Sequence, residues 1–133
     1  MTWNYDDGGR SKYYKKKNVG DCVVRAIAIA NNMDYKEIYQ LVKKYNDGET
    51  PRNGVYKKVY FKLLADMGWQ WIPCCGRGVE KQNIHLRKDE LPDGVVICRV
   101  SKHLTCVKDG VIFDTYNCSR GGKRKVYGYW IKK

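Results

Sequence analysis

The chain has 133 residues, 26 of them Lys or Arg and 14 Asp or Glu, for a formal net charge of +12. Hydrophobic residues make up 43% and aromatics 13%, which excludes wholesale disorder and fits one domain with a real core. No run approaches the roughly 18 apolar residues of a membrane-spanning helix, and "MTWNYDDGGRSKYYKKKN" lacks the apolar core and cleavage site of a signal peptide.

In chain order, residues 1–17 read as an irregular, flexible arm or a short strand. Residues 21–31 are predicted to form a helix with Asp21 as N-cap. Its apolar run is broken only by Arg25, so the helix should be enclosed on most sides. Asp34 to Tyr45 form a second helix, with Asp34 and Glu37 as a capping box and Ile38, Leu41, Val42 and Tyr45 on one face. "NDGETPRNG" is a loop. Residues 54–67 form a third helix, stopped by Gly68. "WQWIP" alternates as a strand. A polar connection over 75–93 holds at most a short strand near Ile84 to Leu86. "GVVICRV", "HLTCVKDGVIFDTY" and "RKVYGYWI" are β-rich, and Asp109-Gly110 marks a hairpin. Helices followed by an antiparallel sheet make an α+β domain.

Six cysteines occur: Cys22, Cys74, Cys75, Cys98, Cys106 and Cys118. Without a secretion signal they are expected as free thiols in a reducing cytoplasm. There is no C-x-x-C, Cys74 and Cys75 are adjacent, and the two histidines, His85 and His103, stand apart. No metal and no other cofactor is expected.

Cys22 opens the first helix. A helix N-terminus stabilises the thiolate, which is the nucleophilic form, and its free N–H groups can hold an oxyanion. The Cys22 backbone N–H and Asn18, the nearest upstream amide, are the oxyanion candidates. Asp21 opposes this, because a neighbouring carboxylate raises a thiol's pKa unless it points away. Cys22 also needs a base. If Asp109 and Gly110 are the two turn residues, Cys106 faces Phe113, Thr105 faces Asp114 and His103 faces Tyr116. His103 and Asp114 then become diagonal neighbours on one face. A carboxylate so placed would orient the imidazole. The candidate catalytic set is Cys22, His103 and Asp114.

Each member also has an ordinary structural reading: a buried cysteine, a satisfied histidine, an aspartate closing a turn. Arg25 reads as a structural bridge. Trp69 and Trp71 share a strand face, as core or, with Tyr116, as a substrate groove. The basic and tyrosine-rich stretches, with Lys15, Lys16, Lys17, Arg120, Lys123, Arg124 and Lys125, suit nucleic acid or an acidic partner.

An early-helix cysteine followed by histidine and acid on adjacent later strands resembles the papain-like cysteine peptidases. "GDCVVRAIA" is similar to the nucleophile motif of ovarian-tumour-type deubiquitinases at Gly20, Asp21, Cys22, Arg25 and Ala26, and departs from it at Val19, where that family is acidic. Over most of the chain, "DCVVRAIAIA", "SKHLT.VKDGVI.DTY..SR" and the closing "VYGYW" resemble a group of small bacteriophage proteins. The resemblances imply a papain-like fold and a phage protein working in the bacterial cytoplasm. Two functions fit. One is a cysteine hydrolase cutting an amide, isopeptide or thioester bond in a host or phage protein. The other is a catalytically silent basic protein of the same fold, blocking a host defence complex or binding nucleic acid. No membrane partner is expected. Only the first function needs a reactive Cys22.

Overall fold

The computed structural model describes residues 1–14, 20–51 and 54–133. Its elements run β1 (Thr2–Tyr5), α1 (Cys22–Asn31), α2 (Tyr35–Tyr45), α3 (Lys57–Asp66), β2 (Trp69–Pro73), β3 (Val95–Val100), β4 (His103–Lys108), β5 (Val111–Asp114) and β6 (Gly128–Lys132), with 3-10 turns at Arg10–Lys12 and Lys88–Glu90. The strands form one sheet in the order β1-β5-β4-β3-β6-β2. The class is α+β. The helix-first, wholly antiparallel order expected from the sequence is corrected at one edge: β1 precedes the helices and pairs in parallel with β5. β1 is the short strand allowed for within residues 1–17, and its four residues are all exposed.

The sheet separates two apolar clusters. One joins α1, α2 and α3 to Trp69, Ile97, Leu104 and Trp130. The other joins Val96, Cys98, Val100, Val107 and Ile112 to Cys74, Leu86 and Leu91 of the connection and to Cys118 and Val126. Alternation along β3 explains the division, since successive side chains point to opposite faces. Within the 75–93 connection, the expected short strand is a single bridge between His85 and Lys125.

Helix α1 is buried from Val23 through Ile29, Arg25 included, as an apolar run without a polar face requires. It ends at Asn32, whose φ of 52° closes the helix in the left-handed conformation. It packs most extensively against β4. Residues 1–14 are not a free arm. Arg10 is buried, and Gly8, at φ 69°, lies so close to α1 that a Cβ there would meet the Arg25 Cα at 3.2 Å.

Two expected caps are absent. Neither Asp21 nor Asp34 makes a side-chain cap bond. Asp34 instead accepts from the Tyr13 hydroxyl at 2.5 Å, and Asp21 is drawn into an ion network described below. The buried face of α2 is Tyr35, Ile38, Tyr39 and Val42; the expected Leu41 and Tyr45 pack against the same core at its partly buried edge, so the two tyrosines widen the predicted face. Among the described residues, no helix is long and apolar enough to cross a membrane.

On the helix-covered face of the sheet, Phe61 meets Trp71 and Trp130 edge-on and the two tryptophans are tilted together, with ring centroids 4.5 to 5.0 Å apart. Gly128 on β6 makes room for them, because a Cβ there would strike the Trp71 ring and come within 2.9 Å of the Ile72 carbonyl. Gly128→Ala is therefore expected to destabilise the protein by about 1–3 kcal/mol in urea denaturation. Adding Trp71→Leu should recover part of that loss, a non-additivity expected of touching residues.

Candidate functional site

The hairpin forms in the expected register. Cys106 pairs with Phe113, Val107 with Ile112 and Lys108 with Val111. Asp109 and Gly110 take positive φ values of 49° and 78°, the backbone that a two-residue hairpin turn demands. Counting outward from that turn brings His103, Thr105 and Asp114 together. His103 Nε2 lies 2.6 Å from Asp114 Oδ2, and the Thr105 hydroxyl donates to the same oxygen at 2.7 Å. The Thr115 backbone N–H donates to Oδ1 at 2.7 Å. Tyr116 sets its ring beside the imidazole, with centroids 5.3 Å apart.

Cys22 reaches this pair from α1. Its side chain is partly exposed. It interacts with the His103 imidazole and with the Leu104 backbone N–H. Since His103 Nε2 is committed to Asp114, Nδ1 is the nitrogen left to exchange a proton with the thiol. Burial works against the charged form of each member, and the mutual contacts outweigh it. The thiol of Cys22 is pulled below its ordinary value, with His103 as the main cause. His103 is pushed up to about 12 by hydrogen bonds to Asp114, Cys118 and Cys22. Asp114 is held below the usual carboxylate range, chiefly by His103. The geometry therefore favours a thiolate beside an imidazolium.

Asp21, adjacent in sequence, does not face the thiol. It is fully buried and accepts from Arg10 Nη1 at 3.1 Å, from Arg25 Nη1 and from the Tyr35 hydroxyl at 2.7 Å. Arg25 then spans to Asp114, with Nη2 3.5 Å from Oδ1. Two carboxylates thus stand against two guanidinium groups beneath the Cys–His pair. Because Asp21 makes no cap bond, its side chain does not occupy the first N–H groups of α1, beside Cys22.

A hollow of about 250 Å³ opens at Cys22 and His103, walled by Val55, Tyr60, Arg99 and Leu104. Tyr60 accepts from Arg99 Nε at 3.1 Å. Neither Trp69 nor Trp71 lines it. Trp69 is buried and donates to Asn31 at 3.1 Å, and Trp71 packs in the aromatic stack on β2, so both are core residues and not groove walls. Tyr116 lines a second hollow beyond His103. Asn18, Lys15, Lys16 and Lys17 lie outside the described residues. Of the basic residues singled out near the C-terminus, Arg120, Lys123 and Lys125 are exposed. Arg124 is buried and lines the hollow beside Tyr116 instead of joining the exposed basic residues. His85 sits apart, against Glu90 at 3.2 Å.

All six cysteines are free thiols. Cys118 is the site neighbour that sequence reasoning missed. Its Sγ lies 3.8 Å from Asp114 Oδ2. The donor atoms of His103, Asp114 and Cys118 fall within 4.8 Å of one another, close enough for a metal ion, although His103 and Asp114 already bind each other. Arg10, Tyr35 and Arg99 were also unforeseen. No family model, curated protein or solved structure matches this chain.

Two outcomes follow from these contacts. Iodoacetamide should modify Cys22 at lower pH than the buried Cys74, Cys98 and Cys106, whose thiols burial pushes up. In His103→Ala the Cys22 inflection should rise toward the free-thiol value of about 8.5, read by peptide mass spectrometry across pH. Asp21→Asn should cost about 3–5 kcal/mol in urea denaturation, because it leaves the buried Arg10 guanidinium without a carboxylate and Arg25 with Asp114 alone. Tyr35→Phe should cost only about 1 kcal/mol.

Proposed function

We propose that this chain is a papain-like cysteine hydrolase, phage-encoded and acting on an amide, isopeptide or thioester bond of a host or phage protein in the bacterial cytoplasm. The observation that carries the reading is the His103 ring, bound to Asp114 through Nε2 and facing Cys22 at the start of α1. Cys22 Sγ attacks the substrate carbonyl carbon, and a C–S bond forms as the carbonyl π electrons move to oxygen. The Cys22 N–H, with Asn18 as the proposed second donor, steadies that oxygen. His103 passes its Nδ1 proton to the leaving atom, and the bond to the leaving group breaks. Water then attacks the acyl-enzyme, gives its proton to His103, and the C–S bond breaks to restore the thiolate. Asp114 keeps the imidazole oriented and compensates its charge throughout.

The alternative, a silent basic binder, draws on the exposed Arg120, Lys123 and Lys125. It offers no reason for a buried imidazole–carboxylate pair directed at a partly exposed thiol. Nucleic acid and acidic proteins are the partners that this charge suits.

The test is trapping. A peptidyl vinyl sulfone should label the native protein at Cys22 alone, seen as one adduct by intact and peptide mass spectrometry. Labelling should fall at least about 100-fold in His103→Ala, the scale on which positioned acid–base groups contribute. Cys22→Ala should abolish it with the melting temperature little changed. Labelling that ignores His103, or that falls on Cys75, would refute the hydrolase.

A further inference from the structure

Two hollows meet at Lys102 and His103. The first holds Cys22. The second, about 510 Å³, lies past the imidazole and is lined by Lys102, Tyr116, Arg120 and Arg124. We propose that this second hollow binds a carboxylate of the substrate, an aspartate or glutamate side chain on the leaving-group side of the scissile bond. The proposal rests on the hydrolase reading of Cys22 and His103.

Direction comes from the chemistry. The group that protonates the leaving nitrogen must stand beside it, so the departing half of the substrate lies on the His103 side of Cys22. Continuing that way, it meets three cations. Among the described residues, none of Lys102, Arg120 and Arg124 has a carboxylate within ion-pair distance. The nearest acid, Asp114, is committed to His103, Thr105 and Arg25.

Arg124 makes the hollow more than a basic patch. It is only 6% exposed. One Nη donates to the Ser101 carbonyl, and the other lies 3.3 Å from the Tyr116 hydroxyl. Among the described residues, its Nε has no partner. The acceptors found by its Nη groups, the Tyr116 hydroxyl and the carbonyl and hydroxyl of Ser101, are all neutral, so its charge stays uncompensated in a desolvated place, where an unpaired ion is costly. A carboxylate entering the hollow would supply the missing charge. The planar guanidinium suits it, and the Tyr116 ring that bridges Arg124 and His103 would line its path. Lys102 and Arg120 are exposed at the mouth and would add attraction that salt weakens.

Short amines that mimic the departing half test this directly. Ala-Glu amide, Ala-Gln amide and Ala-Lys amide, each with a free N-terminus, are titrated into the Cys22→Ala protein by NMR, with Tyr116, Cys118 and Arg124 as reporters. Ala-Glu amide should bind about tenfold more tightly than Ala-Gln amide, the scale of one charge-assisted contact. Its advantage should shrink as salt rises. Arg120→Glu and Lys102→Glu, both at exposed positions, should each reduce the advantage and improve binding of Ala-Lys amide. Equal affinity for the three probes overturns the proposal, as does no binding at millimolar concentration or a preference unmoved by both charge reversals. An O-phosphoserine probe, Ala-phosphoserine amide, that outbinds Ala-Glu amide by tenfold would also overturn it, in favour of a phosphate site. Because these titrations lack the thiol, a negative result counts against the hollow and not against the nucleophile. An inert Cys22 in the vinyl sulfone experiment counts against the hydrolase reading instead.

Discussion

Burying Asp21 at the start of an apolar helix is tolerable only if its charge is answered on the spot. Arg10, Arg25 and Tyr35 answer it, and that requirement shapes the surrounding structure. Arg10 must come in from the N-terminal segment, so residues 6–14 fold tightly over α1. Arg25 lies one turn further along the same helix and ties Asp21 to Asp114 on β5. Asp114 in turn holds His103 on β4. One continuous chain of charges thus fixes the helix that carries the thiol against the hairpin that carries the imidazole. A shift of either element would leave a buried ion without its partner, which costs several kcal/mol.

The same chain sets the electrostatics of the thiol. Asp21 and Asp114 are matched by Arg10 and Arg25, so the layer beneath the site is close to neutral. A thiolate at Cys22 and an imidazolium at His103 then compensate each other without disturbing it. A neighbouring carboxylate would ordinarily suppress thiolate formation, and here it is turned away into the guanidinium groups. The net charge of +12 therefore belongs mostly to the surface. Arg124, beside the site and without a counter-ion among the described residues, is the exception.

Local physics made part of this legible in the sequence. Asp109-Gly110 admits few backbone solutions, so the turn fixed the register, and the register put His103 beside Asp114. The apolar run after Cys22, interrupted only by Arg25, marked a buried helix. What stayed hidden depends on distant partners. The pairing of β1 with β5 joins the backbones of residues more than a hundred positions apart, and the β1 side chains are all exposed. Asp21 and Asp34 carry good capping chemistry, yet each is claimed by residues from another segment: Arg10 and Tyr35 for one, Tyr13 for the other. Cys118 reaches His103 through the loop after β5, whose path no periodicity describes. Trp69 and Trp71 shared a face as their spacing required, but the face belongs to the core, where Gly128 leaves room for the Trp71 ring.

The central claim is that His103 stands charged between Cys22 and Asp114. The ring nitrogen chemical shifts of His103, recorded by NMR on the selectively labelled native protein at neutral pH, test it most directly. Both nitrogens protonated, with the Nε2 proton strongly deshielded by Asp114, is the expected result. A neutral ring with one bare nitrogen, beside a Cys22 that still carries its proton, would contradict it.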